Sequence, residues 1–168
     1  MTPWQIVPLT AEHTRSLAEC HIACWREAYQ HLVPAHVLAA FDVERRAAQW
    51  ERNRITYPGH THVALVDDEV IGFVSAGQTR DRPPVPAIEL NALYIRSPWY
   101  GTGVADELIH TVLDPQTPVS LWVFEENPRA QSFYRKHGFE LDGTRRVEAF
   151  TPSFEVRMVR FPHDSVQS

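Results

Sequence analysis

The 168 residues carry 43% apolar and 22% charged side chains and include five tryptophans, a composition that excludes an extensively disordered chain and supplies the core of one domain. Sixteen Lys and Arg against 21 Asp and Glu leave a net charge of −5, which argues against nucleic acid as a partner and leans toward cationic substrates. No apolar run approaches the roughly 20 residues of a membrane span, and Met1-Thr2-Pro3-Trp4 lacks the basic-then-apolar layout of a signal peptide, so a cytoplasmic protein with no membrane partner is expected.

Trp4 to Val7 reads as a first strand closed by Pro8, and Thr10 as the N-cap of a helix that starts at Ala11 with Glu12 in its first turn and runs to about Leu32. Leu17, Ala18, Ile22, Cys24, Trp25, Ala28 and Tyr29 give that helix a wide apolar face. Cys20 and Cys24 lie one turn apart around His21, a spacing that matches no standard zinc framework; they read as small packed residues, and no metal site is expected. After Val33-Pro34 a second helical pattern runs through Val37, Leu38, Phe41, Ala47, Ala48 and Trp50, with Asp42 as a point of interruption.

His62 to Val66 and Val70 to Ala76, joined by Asp67-Asp68-Glu69, predict an antiparallel hairpin. His60 and His62, two apart with no third ligand near them, are expected to be exposed strand histidines. Gln78 to Pro86 is a polar, Pro-rich loop, either a connector or one wall of a site. Ala87 to Ile95 and Val119 to Phe124 are strands separated by one helix, which implies a parallel pair.

Between them, Ser97-Pro98-Trp99-Tyr100-Gly101-Thr102-Gly103-Val104-Ala105 is a turn and a Gly-rich loop entering a helix with Val104, Leu108, Ile109, Val112 and Leu113 at helical spacing. Glycine lets backbone approach a ligand, and a helix N-terminus offers unpaired N–H groups to an anion. A later helix has Asn127 at its N-cap, Pro128 at its first position, Phe133, Tyr134 and His137 on one face and Gly138 as its stop. Phe139 to Leu141 and, after Asp142-Gly143-Thr144, Val147 to Val159 read as closing antiparallel strands, and the tail after Pro162 is expected to fray.

Three of these stretches resemble the GNAT superfamily of N-acetyltransferases, which pass an acyl group from coenzyme A to an amine. Glu89-Leu90-Asn91-Ala92-Leu93-Tyr94-Ile95 is similar to its central strand, Tyr100 to Ala105 to its pyrophosphate loop, and Asn127 through Phe139 to its Asn-x-x-Ala…Phe-Tyr…Gly-Phe helix. Cys24 to Tyr29, followed by Pro34, is similar to the substrate-side helices of small members. The resemblance implies a mixed α/β (α+β) fold: a mostly antiparallel central sheet with a central parallel strand pair, flanked by helices. It further implies that residues 1–168 make one acyl-CoA N-acyltransferase domain, that acetyl-CoA is the cofactor, and that the acceptor is a small-molecule amine or a peptide, with a homodimer as one possible assembly. One departure stands in the loop, where Tyr100 replaces the usual Gln or Arg and leaves phosphate contact to the backbone from Gly101 to Ala105.

A lysine-like amine has a pKa near 10.4, so at pH 7 only about one molecule in 10³ is the neutral nucleophile. A general base is worth about 10² to 10⁴ in rate. Glu89 is the leading candidate by resemblance, acting directly or through water, against the alternative of a salt-bridged surface glutamate; Glu125 and Glu126 read better as helix-start residues. Tyr134 is similar in position to the family's proton donor to the departing thiolate. The resemblance gives Asn127 the pantetheine amide, a backbone N–H near Leu93, Tyr94 and Ile95 the oxyanion, and Arg129 a coenzyme A phosphate, equally an exposed helix arginine. Trp25 and Tyr29 are substrate-side candidates whose spacing alone favours core packing. A non-catalytic acyl-CoA-binding or regulatory module is the alternative function, with Tyr100 as its support.

Overall fold

A computed structural model of the chain describes residues 2–83, 85–148 and 153–162; the tail after Pro162 lies outside these. Seven strands follow the order β1-β2-β3-β4-β5-β7-β6: β1 (Gln5–Pro8), β2 (Thr61–Val66), β3 (Glu69–Gln78), β4 (Ile88–Ile95), β5 (Val119–Phe124), β6 (Glu140–Val147) and β7 (Phe154–Arg160). The helices are α1 (Thr14–Tyr29), α2 (Ala35–Ala39), α3 (Val43–Thr56), α4 (Val104–Val112) and α5 (Pro128–Lys136). The sheet is mostly antiparallel and β4 and β5 are parallel, as expected. The chain forms two compact units.

The first unit holds β1, α1 to α3, β2, β3 as far as Ala76, the end of β4 from Ala92, and α4. The β2–β3 hairpin turns on Asp67 and Asp68, both at positive φ (50° and 65°), which suits a two-residue turn whose twist matches the strands. Leu17, Ala18, Cys20 and Cys24 of α1 pack with Trp50 of α3 and with Val63, Val70 and Phe73 of the hairpin. Burying one such large side chain contributes about 1.5–3 kcal/mol. Gly72 admits the end of β4: a Cβ there would meet Ile95 Cδ1 at 2.7 Å and the Tyr94 carbonyl at 3.1 Å. The end of β4 and Leu108 of α4, 3.5 Å from the same point, therefore approach a backbone with no side chain in between.

The second unit holds the start of β4, then β5, α5, β6 and β7. Register pairs Leu90 with Leu121 and Leu121 with Met158, putting three apolar side chains on one face; all three are buried, with Phe139. Glu89 pairs with Ser120, and Trp122 with Arg157, on the opposite face. α5 begins where the Asn127 side chain accepts from the Ala130 N–H at 3.2 Å and ends at Gly138, φ 90°.

Several local expectations need correction. α1 stops at Tyr29, and its entry is a 3₁₀ turn over Ala11–His13 with no side-chain cap from Thr10, whose hydroxyl meets His13 Nδ1 at 3.2 Å instead. β1 closes at Pro8, as expected, but begins at Gln5 rather than Trp4; an edge strand tolerates a last residue without an N–H. Asp142-Gly143-Thr144 is not a turn, because β6 runs through it with a register irregularity between Leu141 and Arg145. The strands part after Val147, where the Glu148 N–H donates to the Ser153 carbonyl. His60 precedes β2, and His62 is half-buried with a buried Nδ1 that has no partner; burial lowers its pKa.

Candidate active site

In the first unit, the chain leaving β4 is fastened before it reaches the glycine loop. The Glu27 carboxylate on α1 accepts from Arg96 Nε at 2.9 Å, from the Ser97 hydroxyl at 2.5 Å and from the Ser97 N–H at 3.3 Å. Burial pushes that carboxyl up, and the Ser97 and Arg96 hydrogen bonds outweigh it, leaving the pKa below its ordinary value. Glu27 belongs to the helical stretch singled out by sequence, yet its role as a latch 69 residues from Arg96 has no local signal.

Beyond the latch, Ser97–Trp99 forms a 3₁₀ turn, and the Tyr100 N–H donates back to the Ser97 carbonyl at 3.2 Å. Thr102 donates its hydroxyl to the Trp99 carbonyl at 2.6 Å. Gly101 and Gly103 take φ of 74° and 95°, and around the place where either would carry a Cβ nothing lies within 4 Å. Both are exposed turn glycines in a backbone conformation that L side chains resist, as Gly59 and Gly143 also are. Val104 is buried and anchors α4, and the first N–H groups of that helix have no intrahelical acceptor. Glu107 in the same turn accepts from the Trp4 indole, which sits edge-on to Trp99.

Leu93, Tyr94 and Ile95 end β4. The Tyr94 ring faces His21 and Phe73 at 5.5 and 5.6 Å between centroids, and the Tyr29 hydroxyl donates to the Tyr94 hydroxyl at 3.4 Å. Tyr29 is buried, while Trp25 is half-buried, edge-on to Tyr29 and Phe41. The substrate-side candidates thus join Tyr94 in one aromatic wall.

In the second unit, Glu89 is half-buried on β4 and accepts from the Thr79 hydroxyl at 3.1 Å. No Arg or Lys forms an ion pair with it among the described residues, though the charge of Arg146 acts on it. Its pKa is raised: burial is the largest cause, the Thr79 bond opposes it, and the Asp81 charge adds to it. The loop from Thr79 proves to be structured. The Thr79 N–H donates to the Ala87 carbonyl at 2.8 Å, and Asp81 Oδ2 accepts from the Trp122 indole at 2.9 Å and lies 3.4 Å from Arg157 Nη1. Arg157 also binds Asp142 at 2.5 Å and Thr144 at 3.0 Å, and the Arg146 guanidinium stacks 4.0 Å over the Trp122 ring. Sequence reading missed this network because its members come from four separate stretches.

On α5, Gln131 donates to the Phe124 and Glu125 carbonyls at 3.2 and 2.9 Å and ties the helix start to the end of β5. Asn127 is the cap, Arg129 is exposed, and Tyr134 is half-buried with its ring edge-on to Phe133 and Phe139. Glu125 pairs with Arg145 at 2.5 Å rather than serving the helix start. Among the described residues no group of His, Cys, Asp and Glu could hold a metal ion, and no helix is long and apolar enough to cross a membrane.

The fold is a mixed α/β one, with a mostly antiparallel sheet and one parallel pair, β4 and β5. Residues 16–139 match the model of the Acetyltransferase (GNAT) family. The chain is 32% identical over 120 residues to the uncharacterized N-acetyltransferase Rv2669 of Mycobacterium tuberculosis, covering 68% of this chain and 74% of that protein. It is 28% identical over 102 residues to the L-amino acid N-acetyltransferase AaaT of Escherichia coli, covering 56% and 62%. Among solved structures, PaiA N-acetyltransferase from Thermoplasma acidophilum in complex with coenzyme A shares the fold, with TM-score 0.68 and 18% identity over 94% of this chain and 98% of that one. PH1933 from Pyrococcus horikoshii OT3 does so with TM-score 0.71 and 19% identity over 95% and 99%. The chain belongs to the GNAT family of acetyltransferases.

Proposed function

We propose that the chain is an acetyl-CoA-dependent N-acetyltransferase that passes an acetyl group to a primary amine of a small molecule or peptide by direct attack in a ternary complex. The observation that carries the reading is Glu89: a half-buried carboxylate without an ion-pair partner among the described residues, with a raised affinity for protons. That is the state a general base for an ammonium substrate needs.

The residues present fit the cofactor, since Gly101 and Gly103 leave open space at a positive-φ backbone and α4 begins beside them. The backbone from Gly101 to Ala105, with Tyr100, would hold the pyrophosphate; Asn127 and Arg129 would meet the pantetheine arm and a phosphate, and the backbone of Leu93, Tyr94 and Ile95 the acyl oxygen. Bound there, acetyl-CoA supplies an activated acetyl group. Glu89 takes the proton from the amine, directly or through water, and Tyr134 Oη holds the proton for the leaving sulfur. The family resemblance supports these roles, with a homodimer as one possible assembly.

Release of coenzyme A thiol from acetyl-CoA against a broad panel of amines and peptides tests the reaction class. Cofactor binding without thiol release from any acceptor would sink it. Replacing Tyr134 with Phe keeps both ring contacts and removes only the hydroxyl, so kcat should fall while the Kd for coenzyme A holds.

A further inference from the structure

Arg46 stands in the first turn of α3, where the helix dipole makes a positive charge unfavourable. It is half-buried, with its guanidinium carbon 5.5 Å from the centre of the Phe41 ring. Burial lowers its pKa, while the Tyr94 phenol raises it. Its charge is also felt by half-buried His21, whose pKa desolvation, aided by Arg46, lowers to about 3. His21 is therefore neutral, and its Nδ1 accepts from the Trp50 indole at 3.2 Å. The nearest acids in sequence are committed elsewhere: Asp42 caps α3 through the Arg45 N–H, Glu44 pairs with Arg15, and Glu51 with Arg54. No carboxylate pairs with Arg46 among the described residues.

A desolvated cation with five donors, set against aromatic rings and lacking an anion, is costly unless a ligand completes it. A planar, singly charged carboxylate matches one guanidinium; a phosphate calls for more positive charge than one arginine offers. We propose that the acceptor is an amine that also carries a carboxylate, as an α-amino acid does, and that Arg46 seats that carboxylate against the wall of Phe41, Tyr94, Tyr29 and Trp25. This rests on the transferase reading and narrows its substrate class. It also reverses the lean toward purely cationic amines, since a net charge averages over the chain and does not register one half-buried cation without an ion-pair partner among the described residues.

The test uses the full chain, with the standard L-amino acids and their carboxamides as paired acceptors. It reads thiol release from acetyl-CoA, and calorimetric binding of each acceptor in the absence of acetyl-CoA. The wild type should favour acids over carboxamides, and Arg46→Met should shrink that ratio about 10- to 100-fold, mainly through KM. Arg46→Lys, which keeps the charge and loses the fork, should fall between them. Equal use of acids and amides by the wild type, or an Arg46→Met variant that lowers both alike, overturns the proposal. Turnover of carboxylate-free amines alone overturns it and leaves the transferase reading standing. Arg46-dependent calorimetric binding of amino acids without any thiol release keeps the seat and removes the transferase reading. Displacement of a bound amino acid by equimolar inorganic phosphate would make this a phosphate seat and overturn the carboxylate assignment.

Discussion

Thr79 donates its hydroxyl to Glu89 across 3.1 Å, joining the loop after β3 to the strand that carries the candidate base. The bond holds the proton affinity of Glu89 in check against burial and the charge of Asp81, both of which push it up.

Activity that needs ionised Glu89 should rise with pH through a midpoint above the ordinary carboxylate value. Thr79→Val removes an influence that lowers the pKa and should move this acid limb to higher pH. Asp81→Asn removes a negative charge that raises it and should move the limb to lower pH. Profiles of kcat/KM against pH decide; a limb common to wild type and both variants would mean that Glu89 is not the titrating group.

The same shift has a stability consequence of opposite sense to a salt-bridged acid. With the folded pKa above the unfolded one, the folded state binds more protons between the two values, so Glu89 erodes stability as pH rises through that window. Glu89→Gln should therefore raise Tm relative to wild type at pH 7. The gain should vanish below the ordinary carboxylate range, while kcat/KM falls about 10²- to 10⁴-fold. Thermal melts at the two pH values provide the measurement.

Gly103→Ala places a side chain at φ 95° in space that is otherwise open. Backbone strain should cost roughly 1–2 kcal/mol, and the methyl would intrude on the proposed phosphate loop. Coenzyme A affinity should drop by more than the loss in unfolding free energy; comparing calorimetric Kd with urea melts separates the two. An affinity loss no larger than the stability loss would argue against the loop as the phosphate site.

Asn127 has two candidate duties that substitution can divide. Asn127→Ala removes the acceptor for the Ala130 N–H and should cost about 1 kcal/mol of stability. Asn127→Asp keeps the cap and exchanges the amide donor for an acceptor, so it should be near wild type in urea and weaker for coenzyme A. If Asp binds the cofactor as well as Asn does, the cap is the whole role.

Much of the architecture was legible because it is written in neighbouring residues. Asn127, Pro128 and Gly138 mark α5 within twelve positions, Asp67-Asp68 turns the hairpin, and Val119 to Phe124 is strand in sequence and structure alike. The same locality misled at Asp142-Gly143-Thr144. The turn-like tripeptide falls in the register irregularity of β6 between Leu141 and Arg145, which pair with Met158 and Val156 of β7, and Arg157 of β7 holds Asp142 and Thr144.

The sequence by itself determined the family, the order of the elements and the glycine loop, because each depends on spacing or on side chains a few residues apart. Only the tertiary structure decided what surrounds the chemistry. Asp81 meets Trp122 across 41 positions and Arg157 across 76, and among the described residues Arg46 is left without a carboxylate because its acidic neighbours turn to other partners. Burial and charge at a site sum over everything near it in space, and a linear chain does not display that sum.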